Sequence, residues 1–508
     1  MLQVKASELT EYLRDASPDA KLWIYNAFDV MLPQEIFDEV QGRMNANQLS
    51  TYEFEKALQA PAFSMMLNGV KVDMLLLAHE LKRAKKSEEE LTSYVRSLAI
   101  ATWGDGINVR SPSQMCELFY LDQSGFQCSR HYEGTGAKRH LTTNRKALEK
   151  IYETNYYTRP LIKAIFALKD TQKDIEFLER GVEPDGRVHC SFNVAATETG
   201  RWSSSKNPWG RGANFQNQGE KTRSIYLADE GCVFAYPDLA QAESRAVAYY
   251  SGDENYISAV ESGDLHTFVA RLVWPELNWP EDDAEGDAAA RSKEIADEPY
   301  YRHFSYRDMA KRGGHALNYI GSHWTIAKNL NLQEERAEEF YARYHAAFPG
   351  IRLWHDSVQR NLQAGGKLIT ALGRERLFFG KLDDNHTLKE AIAYLPQSLI
   401  SDILKIGLLY LWRQFEHRRG VMRLCGDLHD GILMLIKKKY LDEVVPEMKE
   451  IMEIPIQMPH GVMTIPVDFK VGYRWQKKEM KEWKPGVLFD LKEITPTNNL
   501  LDLPASEV

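Results

Sequence analysis

The chain has 508 residues, of which 44% are hydrophobic and 27% charged, and a formal net charge of −9. This length suits about two to four ordinary domains or one multi-lobed enzyme, and the composition excludes a disordered or fibrous chain. No apolar run approaches the roughly 20 residues of a membrane span, and "MLQVKASELTEYLRD" lacks the form of a signal peptide, so no membrane partner is expected. The five cysteines, Cys116, Cys128, Cys190, Cys232 and Cys425, contain no CxxC pair. That spacing offers neither a disulfide framework nor a thiolate zinc site, and places the chain in a reducing cytoplasm.

Residues 1–50 read as a short α-rich segment that includes "YNAFD". From 51 to 182 the apolar spacing is helical, as in "DMLLLAHELKRAKKSEEELTSYVRSLA" and "TRPLIKAIFALKDTQKDIEFLERG". From 183 to 260 glycine, asparagine and serine increase and strand-like runs follow: "GRVHCSFNV", "TRSIYLAD" and "CVFAYPDLA". Helices return over 261–368, interrupted by a segment between Pro275 and Pro299 in which nine acids face only Arg291 and Lys293. Such a charge run reads as a solvated insertion or loop. From 369 to 476 a long helical pattern, a hairpin around "LHDG" and a final strand "VDFKVGYRW" close the fold, and 477–508 form a tail. Basic clusters at 81–86, 136–146 and 201–223 offset the net negative charge as an objection to a nucleic-acid partner. The order of elements indicates an α+β enzyme with several lobes.

Two places carry chemistry. In "RLCGDLHDGILMLI" the acids Asp427 and Asp430 lie between apolar strands, where a carboxylate is costly unless a cation meets it. Asp238, at the exit of the strand in "VFAYPDLA", is a candidate partner. Two acids on neighbouring strands can clamp two cations about 3.5–4 Å apart. Which hairpin acid serves is left open by the spacing. In "YRDMAKRGGHALNYIG", Arg307, Lys311, His315 and Tyr319 recur every four residues and form a stripe along one side of a helix. Cations one turn apart followed by an aromatic suit a triphosphate beneath a base, whereas spacing alone equally fits a solvated basic helix.

Taken in order, "TETGRWSSS…NFQNQ", "DLAQAESR", "SGDLHT", "RDMAKRGGHALNY", "LGRERLFF", "PQSLISDILK", "LHDG" and "VDFKVGYRW" resemble the polymerase domain of family A DNA polymerases, over roughly 51–476. The resemblance implies a right-hand fold, with a palm bearing an antiparallel sheet and helical thumb and fingers. The implied limits are thumb 51–182, palm 183–260 and 369–476, and fingers 261–368 with the acidic insertion 275–299. It implies primer–template DNA and dNTPs as substrates and two Mg²⁺ ions, replaceable by Mn²⁺. By the same resemblance Asp238 and Asp430 are the catalytic aspartates, and Leu239 lends a carbonyl to a metal. Glu243 is the steric gate against a ribose 2′-OH, with Gln241 beside it. Arg307, Lys311 and His266 hold the triphosphate, and His315 and Tyr319 lie at the base. Arg201, Asn214, Gln216, Arg245, Gln397 and His429 match positions that contact primer or template.

The pattern departs from the family at three places. His315 stands where Phe or Tyr is usual, after Gly313 and Gly314; Gly431 replaces the glutamate of the His-Asp-Glu motif; Ala393 replaces an asparagine. Tyr25 and Asp29 resemble the last motif of the family's 3′–5′ exonuclease, but the 24 residues before Tyr25 hold no Asp-x-Glu. Two readings stay open: a separate exonuclease subunit docks here and supplies proofreading, or the segment is a vestigial helix packed on the palm. A separate exonuclease subunit or a processivity factor is the further expected partner, in phage DNA replication. The competing readings are a single-subunit RNA polymerase, against which Glu243 argues, and a catalytically silent DNA-binding accessory subunit.

Overall fold

The computed structural model describes residues 13–14, 16–122, 125–134, 136–179, 181–212, 214–280, 287–301, 304–330, 332–428, 431–476 and 478–484. Its principal elements in chain order begin with helices α1 (Pro18–Gln41), α2 (Met74–Trp103) and α3 (Arg159–Glu179). Strand β1 (Cys232–Leu239) leads into α4 (Ala242–Ser251), followed by α5 (Leu265–Val273), α6 (Asp287–Ala296), α7 (Tyr306–Asn318) and α8 (Glu334–Ala347). The long α9 (Asn385–Leu411) precedes β2 (Met422–Asp427), β3 (Ile432–Lys437), β4 (Val467–Gly472) and β5 (Lys481–Glu482).

These elements fall into two compact units. One comprises Met1–Gln59, Glu243–Ile400 and Ile456–Met463; the other comprises Ala60–Ala242, Ser401–Pro455 and Thr464–Val508. The units cut across the limits expected from sequence, since 183–260 and 369–476 are each shared between them.

The second unit is built on an antiparallel sheet of order β2-β3-β1-β4-β5. Strand β4 alternates as a strand with one open face does, whereas residues 432–436 of β3 are all buried. In β4, Val467, Phe469 and Val471 are buried while Asp468 is exposed and Lys470 half-buried. In β1, Val233, Phe234 and Ala235 are fully buried, and the strand runs on through Pro237 and Asp238, which pair with Phe469 and Asp468. "TRSIYLAD", expected as a strand, contributes only isolated bridges from Tyr226 to Val72 and from Leu227 to Arg474. Helix α2 starts at Asp73, whose carboxylate accepts from the Leu76 amide at 3.1 Å and from Arg474 at 2.6 Å. It stops at Gly104, whose φ of 85° suits glycine as a left-handed cap. Helix α3 packs beside α2 over a core that includes Leu118, Phe119, Ile162 and Ile165. All five cysteines are free and buried.

In the first unit, the acidic insertion differs from expectation: 287–296 form the regular helix α6, with Ser292 and Ala296 buried. Three alanines at 288–290 favour the helix despite the charge around them. Residues 281–286 lie outside the described residues. Helix α1 has no buried residue, and its apolar side chains point all round rather than to one face. By length and composition, 385–419 could cross a membrane, but its most apolar window is 83% buried within the fold, as befits a core helix.

Candidate functional site

Asp238 stands one residue from the end of β1, directly across the ladder from Asp468 of β4, while Tyr236 stands across from Lys470. Opposed residues leave a sheet on the same face, so Tyr236, Asp238, Asp468 and Lys470 share the open side. Lys470 Nζ lies 2.7 Å from Asp238 Oδ2, and both side chains are 38% exposed. Leu239 is buried and pairs with Val467. Asp238 also bridges Gly431, the residue after the hairpin turn. A Cβ at Gly431 would lie 2.4 Å from the Tyr236 ring and 2.6 Å from the Pro237 carbonyl oxygen. Tyr236 and β1 thus fill the space a glutamate at 431 would need. His429 and Asp430 lie outside the described residues.

The donors on this face are carboxylate oxygens open to water, with an ammonium standing as a cation against one of them. A hard divalent ion fits such a set. Among the described residues, no group of three or more His, Cys, Asp or Glu side chains is arranged to hold a metal. Asp238 and Asp468 are the carboxylates that the described strands place on that face.

The other hairpin acid has a partner that the sequence did not reveal. Asp427 is 1% exposed and lies 3.2 Å from Lys405 of α9, itself 2% exposed. Lys405 also sits over the Trp202 ring, 4.4 Å from its centroid. Gln216 Nε2 donates to Asp427 Oδ2 at 3.2 Å and to the Trp202 carbonyl at 3.1 Å. A lone lysine within the apolar run of α9 was the available signal, because a buried ammonium requires an acid.

In the other unit, α7 begins with a capping box, Ser305 bonding the Asp308 amide and Asp308 bonding back. One side of the helix, Met309, Ala310, Gly313 and Leu317, is buried; Lys311 and His315 are exposed. The two glycines are packing residues. A Cβ at Gly313 would fall 2.3 Å from the Phe340 ring, and one at Gly314 would fall 3.1 Å from Tyr344. The helix end is fixed by Asn318, which donates to the Tyr256 hydroxyl at 2.8 Å and accepts from Tyr344 at 3.0 Å.

Arg307 donates to Asp264 at 2.9 Å, and Asp264 caps α5 through Thr267. Burial raises the Asp264 carboxyl, but Arg307 and Thr267 outweigh it and hold its pKa below the usual range. His266 is pushed down to about 4 by burial and then by the Arg307 and Lys311 cations, which leaves its imidazole neutral near pH 7. Tyr319 donates to Glu243 at 2.7 Å, with the His315 ring 5.2 Å from that of Tyr319 and its Nε2 4.0 Å from Glu243. Gln241 and Ile320, two of three non-glycine residues with positive φ among the described residues, flank Glu243 and Tyr319 in sequence, each at φ 55°. Such a conformation costs about 1–3 kcal/mol, and for β-branched Ile320 it is an outlier.

Three residues expected at DNA have partners within the chain. Arg245 is 5% exposed, with its guanidinium bonded to Glu261 and the Val260 carbonyl, both at 2.6 Å. Gln216 is buried against Asp427, and Asn214 caps the turn at 215–217 while accepting from Ser204 at 2.9 Å. Arg201 and Gln397 are half-buried. Tyr25 and Asp29 both lie on α1.

The family described as DNA polymerase family A matches residues 78–477. DNA polymerase I, thermostable, of Thermus filiformis is 26% identical over 471 residues, covering 88% of this chain and 50% of that protein. DNA polymerase I of Geobacillus stearothermophilus is 26% identical over 466 residues, covering 87% of this chain and 48% of that protein. The chain thus spans about half the length of the curated relatives it matches. Among solved structures, the POL domain of Pol1 from M. smegmatis, in complex with DNA primer-template and dNTP, superposes with a TM-score of 0.66 at 22% identity. That match covers 83% of this chain and 70% of the other and shows a common right-hand fold.

Proposed function

This chain belongs to DNA polymerase family A, and from that membership we propose that it is a DNA-directed DNA polymerase, extending a primer 3′-OH with dNTPs along a DNA template. The observation that carries the reading is the Glu243–Tyr319 hydrogen bond at the end of the Arg307 and Lys311 helix. A fixed carboxylate beside a polyanion-binding stripe suits a nucleoside triphosphate whose sugar lacks a 2′-OH. It disfavours the RNA polymerase reading, and an accessory subunit has no need of it.

The reaction forms a bond from the primer 3′-oxygen to the α-phosphorus and breaks the bond to the departing pyrophosphate, while the 3′-OH loses its proton. Asp238 and Asp430 would hold the divalent cations, which supply charge neutralisation and a lowered 3′-OH pKa. Arg307 and Lys311 hold the triphosphate, with Asp264 setting the direction of the Arg307 guanidinium. Neutral His266 donates a hydrogen bond to the same phosphates without adding a fixed charge. Positioning and electrostatics supply most of the acceleration in such transfers.

Single-nucleotide extension of a labelled primer tests the reading. Each of four templates is expected to direct one dNTP, and Asp238→Ala is expected to abolish all four products. Extension without template control, or undiminished in Asp238→Ala, would refute it.

The N-terminal helix supports a partner in the same reading. Leu22, Trp23, Tyr25, Val30, Met31 and Ile36 on α1 are each more than half exposed, and a separate 3′–5′ exonuclease chain docking there would cover them. Mismatched primer without dNTPs is expected to shorten only when that chain is added; shortening by the polymerase chain alone would contradict the proposal.

A further inference from the structure

The open face of the sheet carries one residue that works against metal binding. Lys470 places its ammonium 2.7 Å from Asp238 Oδ2, on a carboxylate proposed above to hold a divalent cation. Asp468 lies two residues earlier on the same strand, so both side chains leave β4 on one face. Asp468 is exposed and stands opposite Asp238. The ammonium therefore has two carboxylates within reach of one flexible stem. An ion pair this open is weak, and a doubly charged ion competes well for one of its members.

Resting on the metal-site reading above, we infer that Lys470 is a resident counterion that a divalent cation displaces from Asp238 onto Asp468. With no metal bound, Lys470 neutralises Asp238 and keeps its carboxylate held at the strand end. When a cation arrives, Lys470 swings along its own strand to Asp468, and the repulsion between ammonium and metal is relieved. Asp468 is thus a positioning residue for the metal site, and Lys470 sets how much cation the site requires. The exchange is a movement of charge with no covalent step.

Binding of Mn²⁺ to the full chain without DNA, followed by the electron paramagnetic resonance of the free ion, tests the exchange apart from turnover. Lys470→Gln removes the competing cation and is expected to tighten Mn²⁺ binding about fivefold, with Lys470→Met giving the same direction. Asp468→Asn leaves Lys470 without its second partner and is expected to weaken binding. In that background Lys470→Gln should gain more than in the wild type, because the two residues are coupled. Unchanged or weaker binding in both Lys470 variants, folded by circular dichroism, would overturn the inference, as would strict additivity with Asp468→Asn. Wild-type Mn²⁺ affinity in Asp238→Asn would remove the metal-site reading itself.

Discussion

The buried pair between Lys405 and Asp427 allows the sharpest test of how the hairpin is held. The two side chains are 2% and 1% exposed and 3.2 Å apart. Replacing Lys405 by Met keeps the volume of the stem but leaves Asp427 with Gln216 as its remaining named donor. Breaking a buried pair on one side costs about 3–5 kcal/mol, whereas replacing both members by apolar groups is often close to neutral. In the double variant Lys405→Met/Asp427→Leu, Gln216 loses an acceptor, for about 1–3 kcal/mol. The expected order of stability is wild type, then the double variant, then either single. Equilibrium urea unfolding followed by both tryptophan emission and ellipticity measures it. A Lys405→Met protein within about 0.5 kcal/mol of wild type, or a double variant less stable than both singles, would refute the reasoning.

Three further outcomes follow from the other unit. Tyr319→Phe removes the 2.7 Å bond to Glu243; a bond to a charged group is worth about 1.5–3 kcal/mol. The ratio of kcat/KM for a dNTP over its rNTP should therefore fall by roughly tenfold to a hundredfold, and an unchanged ratio would separate Glu243 from sugar selection. Gly313→Ala should destabilise the protein in thermal unfolding, because overpacking against Phe340 costs about 1–3 kcal/mol and exceeds the roughly 1 kcal/mol of helix propensity gained; a higher Tm would contradict the close packing. His266 titrates near 4 in the folded protein against 6.5 for the free side chain. The unfolded chain then binds more protons between those values, so the penalty is absent above about pH 6.5, grows as pH falls and is complete below about pH 4. His266→Asn should flatten the fall in Tm from pH 7 to pH 5, and an equally steep fall would show the imidazole to be solvated.

What the sequence disclosed and what it hid divide along the range of the interactions. The stripe of Arg307, Lys311, His315 and Tyr319 depends on spacing within one helix, and the structure reproduces it. Asp238 at a strand end beside the hairpin was legible from the short apolar run that leads into it. Arg245, Asn214 and Gln216 were expected at DNA by the family resemblance, and the sequence did not show that each also has a partner within the chain: Glu261, Ser204 and Asp427. Lys470 needed the register between β1 and β4, which no local pattern states. Gly313 and Gly314 before His315, and Gly431 in place of a glutamate, stood out only as departures from the family pattern; Phe340, Tyr344 and Tyr236 occupy the space beside them.

Under the proposed function Asp238 serves the chemical step and Arg307 binds the triphosphate, and single-turnover incorporation under rapid quench separates the two. With preformed primer–template and one dNTP, Asp238→Asn is expected to slow the chemical step by about 10³-fold or more, with little change in the apparent dNTP affinity. Arg307→Ala is expected to weaken that affinity and retain more of the rate. An Asp238→Asn protein that incorporates the nucleotide at the wild-type rate would contradict the account at its centre.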